Sequence, residues 1–475
     1  MNPNRGMDKK RLLADPRGAI IERWGALDKC PNVAATMVLI DELESLRGAI
    51  KTSTQEKQIC SRQFGEAKST GSDLEPLRQR MQAISQAISE QAQQRKDLEN
   101  RLWALMQDNE SSCEELPGRF ISPPPSLPPE GDMAKVEEIA DAQAGEWDAY
   151  VDSHPNASLY HRYRWRAVID QAFGHETLYL VARSASGKLC GLLPVVRLKS
   201  RLFGDFGVSL PFFNYGGVIA DHPAIASRLL EQAAREAEQR GLTHLEIRST
   251  RKINDWPTRT DKVSMVRRLP DSTEQLDMEL GAKVRAQIKR AKQEQAEAAI
   301  GGRELLDDFY RVFSINMRDL GTPVYGKHFF RTILETWPDK AHIVVLRLNG
   351  RPVATAFLLG DRDLMEIPWA STLRSVNPMN MNMLLYWHVL QFSIERGYRY
   401  FDFGRSTRDA GTYRFKKQWG AQPVQHVWHY WLPQGAALPE LKPDSPKFRF
   451  LVKCWQKLPV ALTRLLGPAI VRSLP

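Results

Sequence analysis

From Leu39 the apolar residues fall at alternating steps of three and four: Leu39, Leu43, Leu46, Ile50, then Lys57, Phe64 and Ala67 on the same line. After Gly71 the spacing restarts at Leu74, Leu77, Met81, Ile84, Ile88, Leu98, Leu102 and Leu105. Such a period keeps one face of a helix turned to a neighbour, so two stretches joined by a tight turn predict an antiparallel helical hairpin. Each arm holds about 36 residues and, at ~1.5 Å per residue, projects roughly 55 Å. Spacing alone serves an oligomerisation rod as well as an arm that reaches a partner.

At 475 residues the chain is long enough for two or three domains with their own cores. A formal net charge of +10 favours an anionic partner, RNA or an acidic membrane surface. The arm itself is not basic, with ten basic and twelve acidic residues from Val33 to Glu110. Near the turn, however, Lys57, Arg62, Lys68, Arg78 and Arg80 outnumber Glu66, Asp73 and Glu75. Those cations are the arm's candidates for phosphate contact, because neutralising phosphates supplies most nucleic-acid affinity. Five scattered cysteines (Cys30, Cys60, Cys113, Cys190, Cys454) without metal-ligand spacing predict a reduced cytoplasmic protein with no metal site. No apolar run reaches the ~20 residues that span a bilayer, and the polar N-terminus lacks a signal-peptide core.

Prolines 123, 124, 125, 128 and 129 mark an extended spacer between Leu116 and Asp132. Beyond it strands alternate with helices, an α/β pattern. That region is written twice. The first copy runs TLYLVARSASGKLCGLLPVVRL, LPFFNYGGVIAD, a helix from Ala224, then RGLTHLEIRST. The second runs HIVVLRLNGRPVATAFLLG, MEIPWAST, a helix from Asn382, then RGYRYFDFGRST. The shared order and the R-G…R-S-T ending predict two fused copies of one unit. The expected domains are an arm over 1–113, a linker over 114–133, α/β units over 134–280 and 281–435, and a tail over 436–475.

Between the copies, KVRAQIKRAKQEQAEAA carries Lys283, Arg285, Lys289, Arg290 and Lys292 on a predicted basic helix over 281–300. It is either a solvated face or a phosphate-facing helix beside an active site. The tail SPKFRFLVKCWQKLPVALTRLLGPAIVRSLP interleaves apolar and basic residues. It either lies peripherally on an anionic membrane or covers a groove of the catalytic body. There is no phosphate-binding G-x-x-x-x-G-K-[ST] loop, no G-x-S-x-G elbow and no dinucleotide fingerprint. His161 and His388 sit in aromatic, helix-like surroundings and read as packed histidines rather than bases.

The segments MDKKRLLADPRGAIIERWGAL, IDELESLRGAI, SRQFGEAKSTGSD and LPGRFISPPPSLPPEGD resemble, in order and interval, the coiled-coil tRNA-binding arm of seryl-tRNA synthetase. From Glu137 to about Leu432, EIPWAST, NPMNMNMLLYWHV, the basic helix and FDFGRSTRDAGTYRFKKQWG resemble the FemABX family of tRNA-dependent aminoacyltransferases. The likeness is greatest to the branch associated with exosortase and PEP-CTERM systems. These resemblances imply an α/β fold: an N-terminal antiparallel helical hairpin followed by tandem GNAT-like acyltransferase domains. They also imply transfer of an aminoacyl group, with serine leading, from tRNA to an amine or hydroxyl on a small-molecule, peptide or lipid-linked acceptor.

No other cofactor is implied, and neither repeat carries the [RQ]-x-x-G-x-[GA] loop of acetyl-CoA-binding members, which disfavours CoA as donor. By resemblance Lys416 matches the lysine near the reaction centre, with Phe415 beside it. Asp402 and Arg405 are candidates for orienting acceptor and donor. Tyr413, Trp369, Ser371, Asn382, Lys283, Lys289 and Arg290 fall in the same motifs as candidates for substrate binding. Asp402 alternatively caps a turn, and Lys417 alternatively faces the site in place of Lys416. Competing readings are a CoA-dependent N-acyltransferase in exopolysaccharide or surface-protein maturation, and a non-catalytic tRNA-binding protein.

Overall fold

The computed structural model describes residues 9–24, 26, 33–70, 73–108, 116–121, 135–200, 203–439 and 446–474, and the chain divides into two compact units, Met1–Glu114 and Glu115–Pro475. In the first unit the seam yields two long helices, α1 (Val33–Thr70) and α2 (Glu75–Asp108). They pack antiparallel, with Arg47 facing Glu99 and the Cys60 thiol 3.7 Å from the Leu77 carbonyl. Burial concentrates away from the turn, where Leu39, Ile40, Leu43 and Leu102 close on Leu12, Ala19 and Ile20 of two short preceding helices. Nearer the turn Lys57, Phe64 and Ala67 are half-buried, while Cys60, which the spacing passes over, is buried. Arg62, Lys68, Arg78 and Arg80 are exposed. Gly71, Cys30, Cys113 and residues 122–134 of the proline-rich segment lie outside the described residues.

The second unit is built from the repeat. Its first half contributes β1 (Lys135–Glu138), β2 (Thr177–Arg183), β3 (Leu189–Ser200), β4 (Gly204–Val208), β5 (Ile219–Ala220), helix α3 (Pro223–Gln239), β6 (Leu245–Ser249), β7 (Thr258–Arg259) and β8 (Lys262–Arg268). The second half opens with α4 (Ala282–Lys292), β9 (Glu297–Gly301), α5 (Leu306–Leu320), β10 (Ala341–Leu348) and β11 (Arg351–Asp361). It continues with β12 (Leu364–Thr372), α6 (Met381–Glu395), β13 (Tyr400–Thr407), α7 (Gly411–Lys417), β14 (Gln422–Gln425) and β15 (Val427–Trp431). In both copies an antiparallel meander, β2–β3–β4 or β10–β11–β12, is followed by a helix that returns the last strand parallel to its neighbour. A parallel return needs a long crossover, which α3 and α6 supply. The parallel pairing is brief. In the second copy it spans Leu364–Tyr400, Met365–Phe401 and Glu366–Asp402, after which the strands run on without pairing to each other.

The boundary expected at 280/281 does not separate the two sheets. One sheet runs β1-β2-β3-β4-β6-β15-β7, with β5 on β3, and the other runs β14-β8-β13-β12-β11-β10-β9. Thus β8, written after the first copy, pairs with β13 of the second, and β15, written after the second copy, pairs with β6 of the first. Without the exchanged strands, β13 and β6 would each be a bare sheet edge on the side away from β12 and β4, and β8 and β15 cover those edges. A further shared core, including Phe206, Val208, Phe213, Phe309, Phe330 and Phe357, joins the halves.

Three other expectations shift. The basic helix ends at Lys292 instead of reaching 300, because Gln295 turns left-handed (φ 54°) and Glu297 begins β9 along β10. Within the expected linker, Leu116–Ile121 belongs to the second unit. There the Phe120 ring packs at a tilt 5.5 Å from Tyr215, and Leu116 and Phe120 pack beside Val266, Leu364, Tyr400 and Val424. The tail forms α8 (Pro446–Gln456) and α9 (Val460–Val471), which dock on α5. Among the described residues no helix is long and apolar enough to cross a membrane.

The exchange makes the halves interdependent. Residues 135–280 expressed alone lack β15 and should be insoluble or unfolded, whereas 115–475 should melt cooperatively. Circular dichroism melts of both fragments check this, and a folded 135–280 fragment refutes it.

Candidate functional site

Aligned on their shared endings, the copies read E246-I-R-S-T and D402-F-G-R-S-T, so the second carries one extra residue, Gly404. Gly404 bulges β13 out of register with β8 between Asp402 and Arg405 and adopts φ +76°, a conformation that favours glycine. The Gly404 and Arg405 carbonyls each accept a hydrogen bond from the Lys416 ammonium, on the short helix α7, at 2.9 Å. An ammonium has three donors, so one N–H remains without a protein partner among the described residues. Lys416 is 7% exposed, and burial pulls its pKa down to about 8 against the opposing pull of Asp402. Lys417 is exposed.

Glu366 and Asp402 form the last paired rung before β12 and β13 part, and both are buried. The Tyr215 hydroxyl donates to Asp402 Oδ2 at 2.6 Å, the Gly404 N–H to Asp402 Oδ1 at 2.7 Å, and the Tyr160 hydroxyl to Glu366 Oε2 at 2.6 Å. Burial raises the pKa of both carboxyls, and the charge of Asp402 raises Glu366 further. Two buried acids on one rung disfavour double ionisation, so the pair retains a proton near neutrality. Asp402 thus caps its own turn, the alternative the sequence offered for it, and acts electrostatically on Lys416.

Arg405 is exposed, and desolvation by the surrounding protein followed by the charge of Arg248 lowers its pKa. Arg248, its counterpart in the first copy, lies over the same Trp428 ring: the guanidinium carbons are 5.3 Å and 4.5 Å from the ring centroid. Arg248 is neutralised, bonding Glu246 at 2.7 Å and the Phe213 carbonyl, while Glu246 accepts from the Tyr430 hydroxyl at 2.7 Å. Burial opposes ionisation of Glu246, but Arg248 and Tyr430 hold its pKa below the usual range. Arg405 has no acidic hydrogen-bond partner among the described residues, which leaves its charge available to an anionic group. His426 stacks 5.7 Å from the same Trp428 ring and stays neutral, with burial and the two arginines pulling its pKa down to about 3.

Beside this centre opens a cavity of about 180 Å³, lined in part by Arg119, Tyr215, Gly217, Arg248, Arg251 and Lys252. Tyr215 and Arg248 belong to both cavity and centre. Arg119, from the segment expected to be linker, sits 5.6 Å over the Tyr215 ring and favours the charged form of both carboxyls. A Cβ on Gly217 would fall 2.6 Å from the Arg248 carbonyl oxygen, so only glycine lets the wall approach β6 this closely.

The remaining sequence candidates are dispersed. Phe415 packs 5.1 Å from Tyr386, and Tyr413 is buried in the second sheet's core instead of facing a substrate. Trp369 is committed to an aromatic cluster, 5.1 Å from Phe330 and 5.6 Å from Phe357, and Ser371 is buried, accepting from Asn316 at 3.0 Å. Asn382 is half-buried in the first turn of α6. Lys283, Lys289 and Arg290 are exposed on α4, which buries Val284, Ile288 and Ala291 against α6. His161 is a packed histidine, bonded to the Gly217 carbonyl at 3.0 Å and pulled by burial to a pKa of about 3; His388 is half-buried. Among the described residues no group of His, Cys, Asp and Glu could hold a metal ion.

Sequence reading missed Glu366, Tyr160, Tyr215, Arg119 and Arg248. Aligning the two endings signals Arg248 and Gly404. The others are brought in by folding alone.

Residues 282–417 match the acetyltransferase (GNAT) domain family, a span that ends just beyond Lys416. No curated protein matches the chain. Among solved structures the chain is similar to FemX, at 13% identity and TM-score 0.48 over 62% of this chain and 96% of that one. It is also similar to L-PGS from Bacillus licheniformis, at 13% identity and TM-score 0.40 over 70% and 99% of the two chains. A tandem GNAT protein from the clavulanic acid biosynthesis pathway is similar at 11% identity and TM-score 0.41, over 64% and 100%.

Replacing Arg248 by Met strands the buried Glu246 charge and should cost about 3–5 kcal/mol. Tyr430→Phe removes one hydrogen bond to the same carboxylate and should cost about 1–3 kcal/mol. Urea unfolding of 115–475 and its two variants measures both, and equal costs would contradict the pairing.

Proposed function

We propose that this chain, a GNAT-type acyltransferase across residues 282–417, moves an aminoacyl group, with serine leading, from aminoacyl-tRNA to an amine or hydroxyl acceptor. The observation that carries this reading is the Lys416 ammonium, buried beside parted strands with one N–H uncommitted among the described residues. An aminoacyl ester is already activated, so positioning and charge stabilisation suffice and no protein nucleophile is required. The acceptor nitrogen or oxygen attacks the ester carbonyl, whose oxygen becomes an oxyanion beside Lys416. The bond to the terminal ribose oxygen then breaks, and the acceptor's proton ends on that oxygen. Arg405, without an acidic hydrogen-bond partner among the described residues, is suited to a donor phosphate. The basic-lined cavity beside Tyr215 is suited to an acceptor that carries negative charge.

The arm supports tRNA as donor through its resemblance to a tRNA-binding module and its exposed cations near the turn. Tethering such an arm to the transferase raises the effective donor concentration. A CoA-dependent reading has in its favour the acetyltransferase family matched by 282–417, and against it that neither α/β copy carries an [RQ]-x-x-G-x-[GA] loop.

Three measurements test this. Lys416→Ala should slow single-turnover transfer from seryl-tRNA about a hundredfold or more, the scale of losing one oxyanion donor, while exposed Lys417→Ala leaves it unchanged. Equal rates for wild type and Lys416→Ala remove the lysine from the mechanism. Because Lys416 loses its charge as pH rises through about 8, the wild-type rate should fall on the alkaline side with that apparent pKa. Lys416→Arg, charged throughout, should lose this limb. Deleting residues 1–114, which spares Leu116–Ile121 and so Arg119, should abolish filter binding of tRNA without lowering the melting temperature of the α/β unit. Turnover with acetyl-CoA and none with any aminoacyl-tRNA decides for the CoA reading.

A further inference from the structure

The C-terminal helices wear their polarity inside out. On α9 the one charged residue, Arg464, points into the body: its Nε donates to the buried Ser314 hydroxyl at 2.8 Å and its guanidinium lies 5.5 Å from the Tyr310 ring. The helix is fixed in that orientation. Gly467 packs so closely on Val324 that a Cβ would sit 2.8 Å from its backbone nitrogen, and just beyond the helix Arg472 donates to the Phe173 carbonyl at 2.6 Å. In consequence Leu462, Leu465 and Leu466 face solvent at 37%, 74% and 41% exposure, with Ala461 and Ala469 exposed alongside.

Helix α8 adds Phe450 at 66% and Leu451 at 55%, and Leu320, at the end of α5 beside Gly321 where Val452 packs, adds another 55%. A soluble amphipathic helix buries its leucines and wets its arginine. Here the inverted arrangement leaves a leucine and phenylalanine surface exposed among the described residues, of the kind that marks an interaction site.

The charge around that surface selects its partner. From Pro446 to Pro475 the chain has no acidic residue, and Arg449, Lys453 and Lys457 are exposed beside the apolar side chains. We propose that this face docks on an anionic lipid bilayer, the leucines and Phe450 entering the interface while the cations meet lipid phosphates. Interfacial helices combine these two terms, buried apolar area and attraction to anionic lipid. The docking needs neither the catalytic lysine nor tRNA and stands apart from the proposed reaction.

The test is co-sedimentation of the full chain with vesicles of phosphatidylcholine alone or with about a third phosphatidylglycerol. The expected result is binding to the anionic vesicles, weakened by salt, and little to the neutral ones. The variant Leu462→Gln/Leu465→Gln/Leu466→Gln alters only outward side chains and should keep the wild-type melting temperature, yet bind anionic vesicles about tenfold or more weakly. Lys453→Gln/Lys457→Gln should lose part of the affinity together with part of the salt dependence. Absence of wild-type binding to anionic vesicles, or equal binding by the leucine variant, overturns the proposal. So does a wild-type dimer that the leucine variant converts to monomer without any vesicle binding, which would assign the face to a second copy of the chain.

Discussion

A lysine ammonium held out of water dictates the architecture around it. Burial of a charge is tolerated only where polar partners replace its hydration. Lys416 obtains them from two backbone carbonyls and from the field of Asp402. The carbonyls are available because Gly404 bulges the strand in a left-handed conformation. Asp402 is held by Tyr215, whose ring in turn packs against Phe120 from a segment far upstream. Each requirement thus calls on a more distant part of the chain.

The tandem repeat explains why one copy is left poised and the other closed. At the position of Asp402 the first copy has Glu246, and at the position of Arg405 it has Arg248, without an intervening glycine. That acid and base neutralise one another and accept Tyr430 from the exchanged strand. In the second copy the extra residue breaks the equivalent spacing, so Arg405 is left without its acid and Asp402 is turned toward Tyr215 and Lys416. The copy without the extra residue holds a buried ion pair, and the copy with it holds an exposed arginine. The exchanged strands then tie the two outcomes together, since Trp428 of β15 carries both arginines on one ring.

Much of this was readable from local pattern. Seam spacing located α1 and α2, and the repeated strand–turn–strand–strand–helix–strand order located both α/β copies, because periodicity and turn residues act over a few positions. The lysine in R-F-K-K was singled out by resemblance, but its choice over Lys417 rests on which side of a seven-residue helix meets the Gly404 bulge. Cys60 shows the opposite failure: it occupies a buried seam position that apolar spacing alone passes over. Tyr413 and Ser371 fall in the right motifs and are buried, and Trp369 is half-buried against the aromatic core, since a motif marks a neighbourhood and not the direction of every side chain in it.

The sequence by itself determined the elements, their repetition and the chemical types available to a site. Only the tertiary structure decided that β8 and β15 change sheets, that Glu366 and Asp402 share a rung, that Arg119 joins them from a proline-rich segment, and that α9 turns its leucines outward. Those facts depend on contacts between residues far apart in the chain, which propensity and spacing do not encode. They emerge when bare strand edges, buried charges and packed aromatic rings must all be satisfied at once.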